Sequence, residues 1–260
     1  MTSNFADAYT KANLAADAAV FEPELFQALT AQIENAGPSE KKWFALGLIS
    51  AILCALGRGD VVVDLVRNAT ETQSADSFKE ALTIVREAIT IATPFVGLPN
   101  TMPAIFGLVA EIRASGVEIT ETTPRIPLSE KDYHTVGIDT SKLIYRGVGN
   151  SDVAPMVGKY FPETSYYAHT TIFGYLIAGS RLLSLQEAEL VVASSIIGLG
   201  AVRQARSHCK GSIQLGNSVD VMEAIVQTAY ELAKWNKTPL LGSLDVPALA
   251  AEVRANLANE

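Results

Sequence analysis

Two strongly apolar stretches of this chain, residues 43–57 and 190–202, carry no charged residue. Each falls short of the roughly 20 apolar residues that cross a bilayer. Each also contains Gly and Ser and lies beside strong helix signals. Both are therefore expected as helices apolar on most sides, and such helices are stable only when others surround them. With 48% hydrophobic and 18% charged residues in 260, the chain has the material to wrap them. Its length suits one large domain or two of about 130 residues.

The signals around these stretches are helical as well. Pro38-Ser39-Glu40 opens a segment running from 41 toward 56, stopped by Gly57 and Gly59. Asp76-Ser77 is placed to cap a helix over 78–92, whose Leu82, Val85, Ile89 and Ala92 recur at three- and four-residue steps. Pro94 is expected to end it, with a turn over 93–99 and a further helix over 102–114. A polar stretch with Gly116, Pro124 and Pro127 reads as a linker over 116–128, and Ser129-x-x-Asp132 as the start of a short helix. Beyond it the pattern returns. Ser184-Leu-Gln-Glu187 has the capping-box form before the second apolar stretch. Gly198-Leu-Gly200 then loosens the backbone before a helix over 201–213. Gly216-Asn217-Ser218 is a stop and a cap before a long amphipathic helix over 219–235. Thr238-Pro-Leu-Leu-Gly242 echoes Thr93-Pro-Phe-Val-Gly97. The expected fold is all-α, a tandem duplication with an N-terminal copy over 1–115 and a C-terminal copy over 129–260.

The net charge of −8, with no Lys/Arg block, argues against a nucleic-acid partner. Cys54 and Cys209 form no CxxC and no metal-ligand spacing, so neither a disulfide framework nor a metal site is expected. No basic-then-apolar leader and no C-terminal targeting tripeptide are evident, which makes the cytoplasm the expected compartment.

Imidazole chemistry can come only from His134, His169 and His208, all beyond residue 130. On a helix, His208 shares a face with Gln204 and Ala201. Glu189 precedes it by 19 residues, about 28 Å along one straight helix. The two meet only if the chain reverses at Gly198 and Gly200. A carboxylate within the apolar run around Leu190 is costly to bury without a partner, and an imidazole would supply one able to pass a proton near neutral pH.

The segments Phe173-Gly-Tyr, Leu183-Ser-Leu-Gln-Glu-Ala-Glu-Leu190, His208-Cys-Lys-Gly-Ser-Ile-Gln-Leu-Gly216 and Val221-Met-Glu-Ala-Ile-Val-Gln227 resemble the carboxymuconolactone decarboxylase family, within the wider alkylhydroperoxidase D-like superfamily. The likeness spans roughly 160–241, with a weaker echo over 86–99. It implies an alkylhydroperoxidase D-like all-α repeat, assembly into homo-oligomers, and no metal or organic cofactor. It also implies that Glu189 and His208 stand where the superfamily keeps its proton-relay carboxylate and histidine. Redox members carry a CxxC where this chain has Ala201 and Gln204, so the thiol peroxidase reaction lacks both sulfurs. Ala188 replaces an arginine common in relatives. The His208 position falls near Leu65 in the first copy, which is expected to be structural.

The resemblance thus implies a cofactor-independent lyase or isomerase, decarboxylase-like, acting on a small organic acid, lactone or polyketide-like compound. His208 would move the proton, Glu189 would orient it, and Gln204 or a tyrosine would hold an enolate oxygen. Tyr166, Tyr167 and His169 are candidates for the pocket, and Tyr133-His134 is read as loop. Cys209 adjoins the histidine but points about 100° away, so packing is its expected role and substrate contact or thiol chemistry the alternative. Lys210 and Arg206 read as solvated charges, with steering of an anionic substrate the alternative, and Trp235 as a core anchor. The competing reading of the whole chain is a binding or assembly protein that keeps the fold without the reaction, and a weaker one is a residual thiol redox protein.

Overall fold

The computed structural model describes residues 8–119 and 125–259, and every regular element among them is helical. The first half contains α1 (Pro23–Ala36), α2 (Phe44–Ala55), α3 (Val62–Thr70), α4 (Ala75–Val96) and α5 (Leu98–Ser115). The second contains α6 (Tyr133–Tyr145), α7 (Val153–Tyr160), α8 (Pro162–Tyr167) and a π-helix, Ala168–Ala178. It continues with α9 (Leu185–Gly198), α10 (Val202–Gln214), α11 (Val219–Trp235) and α12 (Val246–Ala258).

The uncharged stretches lie at the centre. Every residue of α2 is buried, and α9 is buried from Glu187 to its end. They pack on one another and on α4. Gly198 permits the closest approach, since a Cβ there would stand 2.8 Å from Ala55 Cβ. The apolar core is continuous across both halves, joining Phe26, Leu48 and Ile91 to Val191, Cys209 and Leu232. At the start of α9 the Ser184 hydroxyl accepts from Glu187 N–H while the Glu187 carboxylate accepts from Ser184 N–H. The same carboxylate takes Lys41 Nζ at 2.7 Å and the Ser39 hydroxyl, so residues named as a helix opening instead pin the two halves together.

Several elements depart from the sequence reading. Pro94 does not end α4. The helix runs on to Val96 and stops at Gly97, whose φ of 85° few other residues adopt. Proline in the last turn forfeits one backbone bond, a smaller loss than in mid-helix. Thr238 and Pro239, the echoing segment, lie outside any helix, so the sequence echo is not matched in structure. Ser74 rather than Asp76 caps α4, accepting from Ser77 N–H. Tyr133 and His134 open α6 behind an Asp132 cap instead of occupying a loop. Part of the linker, residues 120–124, lies outside the described residues. Its far end is firmly held. Arg125 is buried, paired with Glu87 of α4 and donating to the carbonyls of Tyr175 and Leu176. No described helix is long and apolar enough to cross a membrane.

Backbone approach between α6 and the π-helix fixes the geometry of the site. A Cβ at Gly137 would overlap the His169 carbonyl, and one at Gly174 would overlap the Tyr133 carbonyl. These two glycines let Tyr145 of α6 reach Phe173 of the π-helix, with ring centroids 5.9 Å apart.

Candidate active site

The reversal between α9 and α10 is made by Gly200, at φ 68°. It folds α10 back along α9 and brings His208 Nδ1 to 2.7 Å from Glu189 Oε1. Glu189 is fully buried, and its Oε2 has no hydrogen-bond partner among the described residues. An unpaired carboxylate at that depth would be costly, and the imidazole N–H offsets the cost. Gly211 permits this packing. A Cβ there would stand 3.0 Å from Ile144 and 3.3 Å from the Glu189 carboxylate.

The other imidazole nitrogen, Nε2, lies 3.1 Å from the hydroxyl of Tyr145. With Nδ1–H donating to the carboxylate, Nε2 of the neutral ring is an acceptor and the phenol donates to it. Burial, and then the negative Glu189, push the Tyr145 phenol above its ordinary value, so it keeps its proton. Glu189, His208 and Tyr145 therefore form one hydrogen-bonded line from the core outward. Phe95 of α4 meets the imidazole edge-on at 6.1 Å, so the first half backs the ring with an apolar side chain.

Tyr145 and His208 line a cavity of about 890 Å³. Gln204, Ser207, His169 and Phe173 line it too, as do the cations Lys142, Arg146 and Arg203. No Asp or Glu is among the lining residues. Of the residues named from sequence, Glu189, His208, Gln204 and His169 converge here. Tyr166 and Tyr167 do not line the cavity; both are exposed, and Tyr166 stacks on His134 at 4.7 Å. Their helix ends where the wider π-helical turn begins, which directs His169 rather than the tyrosines inward. Lys210 is not solvated. It is buried and donates to the Val148 carbonyl and to Glu252, which also pairs with Arg206.

Cys209 is fully buried outside the cavity lining, as its helical angle implies, and burial raises its thiol to about 12. A thiol so poised is inert. Native protein treated with iodoacetamide near pH 8 is expected to leave Cys209 unmodified, while the unfolded chain is alkylated. Rapid labelling of the native state would reinstate thiol chemistry.

His169 is lowered from its ordinary value by burial first, then by the nearby His134 and Lys142. Its ring should titrate below about 6.5 in an NMR titration, and His134→Gln should move the midpoint up. The folded state binds this proton less readily than the unfolded chain does. The stability tied to His169 is therefore present above about pH 6.5 and is lost as pH falls through the folded midpoint.

No family model matches the chain. Over 197 residues it is 28% identical to Peroxisomal protein 2 of Saccharomyces cerevisiae, a match covering 63% of this chain and 65% of that protein. That name gives a place and no reaction.

Sequence reasoning missed Tyr145, Lys142, Arg203 and Phe95. One signal was available. Ser141, Lys142, Tyr145 and Arg146 recur at helical spacing as a polar face bearing an aromatic ring, and all four line the cavity. Nothing in the sequence linked that face to His208, 63 residues away.

Proposed function

We propose that this protein is a cofactor-independent lyase or isomerase that moves a proton on a small organic acid. The observation that carries the reading is the line Glu189–His208–Tyr145, which begins in the core and ends at the wall of a cation-lined cavity. A buried carboxylate holds Nδ1 and fixes the tautomer, so the proton that moves is at Nε2. Loss of an α-proton, passed to Nε2 through the Tyr145 hydroxyl, leaves an enolate, as does loss of carbon dioxide once Nε2 has taken a proton from solvent. The Tyr145 hydroxyl donates to the enolate oxygen while its own oxygen accepts from Nε2–H of the imidazolium. The carbanion then takes a proton through this line, and solvent restores it to His208. In an isomerisation the same proton is removed at one carbon and returned at another. Gln204 offers a second donor to the enolate.

The resemblance to the carboxymuconolactone decarboxylase family supports the lyase branch by analogy, and Lys142 and Arg203 supply positive charge that Ala188 does not. The tandem duplication and the homo-oligomer belong to the same analogy. Compartment is open between the cytoplasm and the peroxisome that the yeast relative's name invokes, and a fluorescent fusion of the full chain would decide it. The reaction is tested by incubating the protein in deuterated water with β-oxo and β,γ-unsaturated carboxylic acids. Carbon dioxide release or solvent deuterium at the α-carbon is the expected result. Neither, across the panel, would remove this reading and leave a binding protein.

A further inference from the structure

We infer that the cavity beside His208 takes a carboxylate carrying an extended apolar chain, rather than a compact polar acid. Three observations converge. The first is charge: in a chain with 28 acidic and 20 basic residues, the lining carries cations and no carboxylate. Arg203 donates to the neutral Ser207 hydroxyl at 2.9 Å and forms no ion pair among the described residues, and Lys142 acts electrostatically on His169. The second is the segregation of chemistry by element. Lys142 and Arg203 come from α6 and α10, beside His208, whereas α7 brings Val153, Ala154 and Val157, and the π-helix places Ala168 and Phe173 on either side of His169. A ligand matching both sets has an anionic end and an apolar body. The third is size. About 890 Å³ lies near the top of the roughly 300–1,000 Å³ range that encloses drug-sized ligands. An acid of a few carbons would leave most of it to water, which would screen the polar line at its wall.

The inference rests on the proposed reaction only in treating this ligand as a substrate. It is tested by calorimetric titration of the full chain with decanoate, acetate and decanol at mildly alkaline pH. Decanoate is expected to bind at one site per chain, with acetate at least about a hundredfold weaker and decanol at least about tenfold weaker. The double variant Lys142→Met/Arg203→Met should weaken decanoate by about tenfold or more and leave decanol unchanged. Val157→Asp should weaken both. Lys142 and Arg203 are exposed, so the double variant keeps the fold and decides the matter even if Val157→Asp does not. Equal binding of acetate and decanoate would overturn the inference, as would no decanoate binding at all. So would decanoate binding indifferent to all three substitutions, which would place it on the exposed Met156, Tyr160 and Phe161. Decanoate binding without turnover of any acid would keep the inference and remove the reaction. Turnover of short acids without decanoate binding would do the reverse.

Discussion

His208→Ala and His208→Gln are both expected to lower turnover by roughly 10²- to 10⁴-fold, the range a positioned proton-transfer group supplies, yet to differ in stability. Alanine leaves Glu189 buried with no donor, and breaking a buried pair in this way costs about 3–5 kcal/mol. Glutamine keeps an N–H within reach of the carboxylate, so its folded state should melt close to the parent while turnover is still lost. The pair of variants separates chemistry from architecture. If His208 were only a satisfied core histidine, glutamine would restore activity along with stability.

Two neighbours refine the test. Tyr145→Phe removes the hydroxyl bonded to Nε2 and should cost about 10- to 100-fold in turnover at little cost in stability. Glu189→Gln retains the shape but replaces the acceptor that fixes the tautomer, so it should depress turnover and move the pH profile of the reaction. Chromatographically folded Tyr145→Phe with unchanged turnover and pH profile would place the proton path elsewhere.

The helical architecture was legible because local signals sufficed for it. Ser184 and Ser218 cap the helices they announce, Gly200 makes the reversal expected of it, and α2 and the uncharged part of α9 beyond Glu189 are buried as their missing charges require. The Glu189–His208 contact was legible for an energetic reason: a carboxylate in an apolar run needs a partner, and one imidazole lay across the turn. What failed was non-local. Tyr145 reaches His208 through packing of α6 on the π-helix, and no periodicity in the sequence encodes that pairing. The π-helix reads as an ordinary apolar segment, so Tyr166 and Tyr167 were assigned the inward direction that His169 takes. Pro94 misled for the opposite reason, because a rule for helix interiors was applied to a last turn.

The other large effect should come from a methyl group placed outside the cavity. Gly137 lies on α6, and a Cβ there would overlap the main-chain carbonyl oxygen of His169. A backbone oxygen cannot rotate aside as a side chain does, so Gly137→Ala forces α6 and the π-helix apart. The cost should exceed about 4 kcal/mol, the scale reached only when the core is overpacked or strained, and should appear as a large fall in melting temperature or failure to fold. Gly57→Ala is the control. Its φ of 71° makes alanine uncomfortable, but no atom lies within 4 Å, so about 1–2 kcal/mol is expected there. Should Gly137→Ala fold, Tyr145 and Phe173 would separate with their helices, and the bond from Tyr145 to His208 would lengthen or break. Activity would then fall in a protein whose titratable residues are all intact. Parent-like melting and parent-like turnover in Gly137→Ala would show that α6 and the π-helix can part without cost, and that the site does not depend on their contact.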